Sequence, residues 1–216
     1  MPSDDFMDRA DDEREMTAIA DDIDDLDDAR EFGDDHADEE DTDTVTFASL
    51  GLPEEILAAV TDMGFRVPTP IQAAAIPPLL ELRDVVGIAQ TGTGKTAAFG
   101  LPLLAIVDAD ERNVQALVLA PTRELAMQSA QAIEDFAART ARLDVVPVYG
   151  GSPYGPQIGA LKRGAQVVVG TPGRVIDLIE KGALDLSHVR MLVLDEADEM
   201  LRMGFAEDVE TIASSA

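Results

Sequence analysis

Residues Ala89-Gln90-Thr91-Gly92-Thr93-Gly94-Lys95-Thr96 decide the fold. Upstream, Asp84 to Ala89 (DVVGIA) is apolar enough for a short buried strand, and downstream Lys95 to Val107 predicts a helix, so the octet joins strand to helix. A phosphate cradle needs that context. Gly92 and Gly94 let the backbone take φ > 0 and bring its N–H groups close to an anion, while the helix N-terminus adds partial positive charge. Lys95 can then reach a β- or γ-phosphate, and the Thr96 hydroxyl is placed to bind Mg²⁺.

Working outward, Phe47, Leu50 and Leu52 precede Pro53-Glu54-Glu55, a proline and two acids that predict a helix running to about Met63 and stopping at Gly64. In Gly64-Phe65-Arg66-Val67-Pro68-Thr69-Pro70-Ile71-Gln72, Thr69 is a helix cap and Gln72 stands three residues later, the spacing of a capping box. The same carboxamide has the paired donor and acceptor needed to read an adenine edge, and the residues alone leave both uses open. Beyond the octet, apolar strands are expected at 116–120, 144–149, 166–169 and 190–194, with helices opening at Pro121-Thr122-Arg123 and Thr171-Pro172-Gly173-Arg174. Strands alternating with helices imply an α/β fold with a largely parallel sheet, whose ligands bind beyond the C-terminal strand ends. Asp195-Glu196 follows the last strand: the first carboxylate is suited to hold Mg²⁺ and the second to orient or deprotonate an attacking water. A solvated charged turn is the plain alternative.

Charge is uneven along the 216 residues. Residues 1–44 hold 21 of the 43 Asp and Glu against three Arg and no Lys, a net −18 of the −27 total, which leaves −9 for residues 45–216. The first segment repels itself and is expected to be a disordered acidic tail. Met16, Ile19, Ile23 and Leu26 recur at helical spacing within it, so a partner protein could induce a short amphipathic helix there. Asp outnumbers Glu 27 to 16 and Arg outnumbers Lys 13 to 3, a bias that fits adaptation to high salt. No cysteine is present, which excludes disulfides and thiolate metal sites, and His36 and His188 stand without companion ligands. The N-terminus is acidic where a signal peptide would be basic, and Ala97 to Val107 is too short to span a bilayer. A cytoplasmic location without membrane contact is expected.

Taken in order, Phe47, GFRVPTPIQ ending at Gln72, AQTGTGKT, PTRELA at 121–126, Gly150-Gly151, TPGR at 171–174 and DEAD at 195–198 resemble the first RecA-like lobe of a DEAD-box RNA helicase, over about residues 47 to 205. The resemblance implies a RecA-like P-loop NTPase lobe at 45–216, RNA-stimulated ATP hydrolysis and duplex unwinding or remodelling, with ATP and Mg²⁺ as cofactors. It favours adenine reading by Gln72, with Phe47 packing on the base, and nucleotide binding by Ala89, Gln90, Thr91, Gly92, Thr93, Gly94, Lys95 and Thr96. It makes Thr96 and Asp195 the Mg²⁺ ligands and Glu196 and Lys95 the catalytic pair. Arg123, Gly151, Thr171 and Arg174 would face the sugar-phosphate backbone of RNA, and Asp198 would couple to a later Ser-Ala-Thr motif. Ala216 stands 18 residues after Asp198, so that motif and a second lobe, with the arginines completing the ATP site, are not in these residues. A fragment of a longer helicase and a defective copy are both compatible with this. A nucleotide- or RNA-binding module without catalysis is the alternative function, and a different P-loop ATPase such as a DNA translocase is disfavoured by Gln72 and the DEAD tetrad. Deletion of residues 1–44 is expected to leave the melting temperature nearly unchanged in a thermal scan, because the segment has too little apolar surface for a core.

Overall fold

In the computed structural model, residues 45–90, 92–139 and 143–216 are described. The tail at 1–44 and its proposed helix lie outside them. Four parallel strands, β1 (Ala116–Leu119), β2 (Val145–Val148), β3 (Val167–Gly170) and β4 (Met191–Leu194), form one sheet in the order β2-β3-β1-β4. Each parallel step needs a crossover, and helices supply them: α4 (Arg123–Ala137) follows β1, α5 (Tyr154–Lys162) follows β2 and α6 (Pro172–Glu180) follows β3.

Parallel strands covered on both faces are apolar throughout, and β1 reads ALVL with every residue at 0% exposure. Its side chains alternate between two cores. Ala116 and Val118 point into one, where they meet Val167 and Val169 of β3, Ile133 and Phe136 of α4, and Leu101 and Leu104 of α3 (Lys95–Ile106). Leu117 and Leu119 point into the other, with Val168, Leu178 of α6 and Ile212 of α8 (Ala206–Ala213). The period-2 pleat thus makes a three-layer sandwich from one sheet. At the end of β3, Gly170 is obligatory: an added Cβ would stand 2.8 Å from the Val148 carbonyl oxygen and 2.8 Å from Cγ2 of Val175.

Two elements come before the sheet. α1 (Glu54–Asp62) begins after Pro53 with two acids in its first turn, and α2 (Pro70–Leu80) begins after Thr69, both as the sequence predicts. The expected strand at Asp84 to Ala89 is a correction. These residues belong to no strand, make no backbone hydrogen bond among the described residues, and leave Val86 95% and Ile88 98% exposed. Apolar β-branched composition supplies propensity, but a strand exists only against a neighbour's backbone, and neither edge of the sheet, β2 or β4, pairs with it. Helices α5 and α8, and α7 (Ala197–Arg202) after Glu196, were not expected from the sequence. Gly170→Ala is expected to destabilise the protein by about 1–3 kcal/mol, read as a lower urea midpoint at unchanged slope.

Candidate nucleotide site

The turn before α3 has the backbone that the octet predicts. Gly92 and Gly94 have φ of 82° and 88°, and Gly94 is the left-handed cap from which α3 springs. A Cβ on Gly94 would collide with the Gln72 amide, whereas one on Gly92 would meet nothing within 4 Å. The cradle is therefore closed on the α2 side and open over Gly92. Thr93 Oγ1 ties the turn by donating to the Gln90 carbonyl at 2.7 Å. Thr91 lies outside the described residues, and Thr96, half-buried, is the second residue of α3.

Gln72 joins the cradle to the element before it. It is 2% exposed, its Oε1 accepts from the Thr69 N–H at 2.9 Å and its Nε2 donates to the Gly94 carbonyl at 3.2 Å. The capping use that the residues left open is thus realised, and the other end of the amide grips the P-loop. Phe47 lies in a 3-10 turn, Phe47–Leu50, at 3% exposure, edge-on to Phe65 with ring centroids 6.2 Å apart. The ring belongs to the core cluster that holds Leu50, Ile76 and Leu101.

The Asp-Glu pair arrives from the other side of the sheet's edge. Asp195 extends β4, its N–H donating to the Leu119 carbonyl at 2.9 Å. Glu196 then takes a left-handed turn, φ 52° and ψ 49°, a costly conformation for a residue with a Cβ and one that concentrates at functional sites. The turn aims its carboxylate at the P-loop, where Oε1 accepts from Lys95 Nζ at 2.6 Å, with both side chains about three-quarters buried. Asp195 Oδ2 accepts from Ser129 Oγ, on α4, at 3.0 Å. Burial pushes the Asp195 carboxyl above its ordinary value, and the charge of Glu196 adds to this, against the Ser129 hydrogen bond and the charge of Lys95. Ser129 was missed in the sequence. Its signal was faint: one hydroxyl on a helix face otherwise buried as Ala126, Ala130, Ile133 and Ala137.

Among the described residues no group of three or more His, Cys, Asp or Glu could hold a metal by itself. Thr96 and Asp195 are too few for an all-protein cage but suit Mg²⁺, which keeps its waters and borrows ligands from phosphate. The open glycine cradle, the adjacent Lys95 and this sparse oxygen set fit a magnesium-bound nucleoside triphosphate.

A second polar row follows β1, β2 and β3. Thr122 caps α4 by accepting from the Leu125 N–H at 3.3 Å, and the exposed Arg123 lays its guanidinium over Tyr149, 4.7 Å from the ring centroid. Gly151 is exposed with φ 75°, and Thr171 is half-buried as the residue before α6. Arg174, which the resemblance turns toward RNA, is the most buried residue of the row. It is 7% exposed, donating Nη1 to Gln157 Oε1 at 2.9 Å and Nη2 to the Ser152 carbonyl at 3.0 Å, with Tyr154 at 4.1 Å from its guanidinium. It braces the Gly150-Gly151 loop from beneath. Asp198 pairs with Arg202 at 2.9 Å on the exposed face of α7, and His188 Nδ1 lies 3.0 Å from Ser187 Oγ.

A parallel sheet with a P-loop before α3 and an Asp-Glu pair after β4, joined by Lys95, defines a RecA-like nucleotide-binding lobe. A sequence profile of the DEAD/DEAH box helicases matches residues 69–216, and the chain belongs to that family. It is 60% identical over 171 residues to the ATP-dependent RNA helicase DeaD of Haemophilus influenzae, covering 79% of this chain and 28% of that protein. It is 59% identical over 167 residues to the protein of the same name from Escherichia coli K12, covering 77% and 27%. A crystal structure of a DEAD box protein from Methanococcus jannaschii superposes with a TM-score of 0.75 at 45% identity, covering 79% of this chain and 47% of that one. A hypothetical ATP-dependent RNA helicase from Sulfolobus tokodaii gives 0.70 at 41%, covering 76% and 47%. The chain thus spans under a third of the length of these curated relatives.

Asp195 gives a prediction with a definite sign. A carboxyl whose folded value is raised binds its proton more tightly when folded, so native stability falls as pH rises from the ordinary carboxylate range through the raised value. In EDTA, Asp195→Asn is expected to raise Tm at neutral pH, by about 2–4 °C for each kcal/mol of burial cost removed. The gain should shrink toward acid, as seen by calorimetry at several pH values.

Proposed function

We propose that this chain is the ATP-binding lobe of an ATP-dependent RNA helicase, acting on RNA through its backbone and completed by a second RecA-like lobe. The 2.6 Å contact of Lys95 with Glu196 carries the reading: it ties residues 101 apart in sequence into one charge cluster at the mouth of an open glycine cradle. Magnesium-bound ATP would supply the phosphoryl group and the negative charge that Lys95 prefers to a single carboxylate. Lys95, moving onto phosphate oxygens, then leaves Glu196 free to accept a proton from the attacking water. Thr96 and Asp195 would hold the cation, and the backbone N–H groups of the octet would bind the phosphates. Gln72 keeps one N–H and one Oε1 lone pair uncommitted, the capacity left for an adenine edge near the P-loop. Phe47 supports that corner from inside the core.

RNA is read along the second polar row, where Arg123, Gly151 and the start of α6 at Thr171 offer a guanidinium and backbone donors, contacts without base identity. Arg174 serves the row indirectly, through the loop that it braces. Asp198 is the candidate link to a Ser-Ala-Thr motif, exchanging Arg202 for it. We assign the protein to the cytosol of a salt-adapted organism and read the acidic residues 1–44 as a solvating tail, with docking on a protein partner as the alternative. No helix among the described residues is long and apolar enough to cross a membrane.

The test has two parts. Lys95→Ala is expected to weaken Mg·ADP binding at least tenfold in titration calorimetry without changing the circular dichroism, the scale of losing a charged hydrogen-bond donor. Phosphate release by residues 1–216 is expected near background with or without RNA, since an arginine on the transferring phosphate is typically worth about 10³ to 10⁵ in rate. Turnover should appear when a second lobe is supplied. Wild-type nucleotide affinity in Lys95→Ala, or robust RNA-stimulated turnover by this span alone, would overturn the assignment.

A further inference from the structure

Ser129 sits at 4% exposure in the middle of α4, and its hydroxyl differs from those of the other serines and threonines that bond a carbonyl in or just after a helix. Thr61 donates to the Leu57 carbonyl, Thr211 to Glu207, Ser214 to Glu210 and Ser215 to Thr211, the ordinary bond to the residue four back. Ser129 donates instead across 66 residues to Oδ2 of Asp195. A buried hydroxyl needs a partner, and the local one was within reach on its own helix. Its hydrogen is spent on a carboxylate that is itself half-buried.

We propose that Ser129 is a positioning residue for the Mg²⁺ site: by occupying Oδ2 it fixes the rotation of the Asp195 carboxylate and leaves Oδ1 as the oxygen offered to the cation. This rests on the nucleotide reading above. Asp195 can otherwise turn about its final bond, a broad two-fold torsion, and present either oxygen or neither. The restraint comes from a rigid element. α4 is a 15-residue helix packed on α3, β2 and β3, so the hydroxyl is held by the core and not by a loop. Outer partners of this kind are typically worth about 10- to 100-fold in metal affinity.

The experiment measures ADP affinity of residues 1–216 in magnesium and in EDTA, for the parent chain, Ser129→Ala and Ser129→Thr. Ser129→Ala is expected to lose about tenfold of affinity in magnesium while its affinity in EDTA stays within about twofold of the parent. Ser129→Thr, which keeps the hydroxyl, should recover most of the loss. Equal losses in both buffers would assign Ser129 a structural role only, and no loss in either would remove it from the site; each overturns the proposal and leaves the nucleotide reading standing. A parent chain that binds ADP equally well with and without magnesium overturns the proposal together with the cation site. As a check free of any metal, Tm is compared in EDTA across Ser129→Ala, Asp195→Asn and the double variant. Non-additive shifts are expected from the direct bond, and strictly additive ones count against it.

Discussion

Zero exposure along Ala116 to Ala120 is the constraint from which the molecule follows. A strand hidden on both faces must have a layer above and below. Parallel neighbours can reach it only through crossovers long enough to build those layers. The crossovers also return every strand in the same direction, so the loops after β1, β2, β3 and β4 collect at one edge. Pro121-Thr122-Arg123, Gly150-Gly151, Thr171 and Asp195-Glu196 are together because the strands before them are parallel, not because the motifs attract one another.

The polar groups at that edge are held in two ways. Some are internal struts: Gln72 spans Thr69 and Gly94, and Arg174 spans Gln157 and Ser152. Others are matched charges, Lys95 with Glu196, that a phosphate can separate. The distinction is physical. A strut buried at 2% or 7% exposure loses a satisfied hydrogen bond if it moves, whereas a partly exposed ion pair trades one partner for another at little net cost.

Sequence reading reached most of this because its strongest signals are local. Gly92, Gly94 and Lys95 name a P-loop by their spacing, ALVL and VVVG name buried strands by their continuity, and MLVL names a strand that is only partly covered. It failed where the deciding fact was a distant neighbour. DVVGIA at 84–89 has a strand's composition but no paired backbone, and the depth at which Phe47 and Arg174 sit, 3% and 7% exposed, is set by residues far along the chain. Helix α5 escaped because YGPQIGALK carries two glycines and a proline, which argue against a helix until Pro153 and the sheet hold it.

The bare segment at 84–89 also leaves main chain uncovered beside the cradle. Val86 and Ile88 stand in water beside main-chain donors and acceptors with no ladder of their own, a strip onto which a second extended polypeptide can be laid. Supplied from the same molecule, such a cover forms at any dilution and leaves a well-behaved monomer. Supplied by a neighbour, it forms with the square of concentration and grows into aggregate. The six residues that lead the backbone into the cradle are therefore also an unpaired strand edge among the described residues.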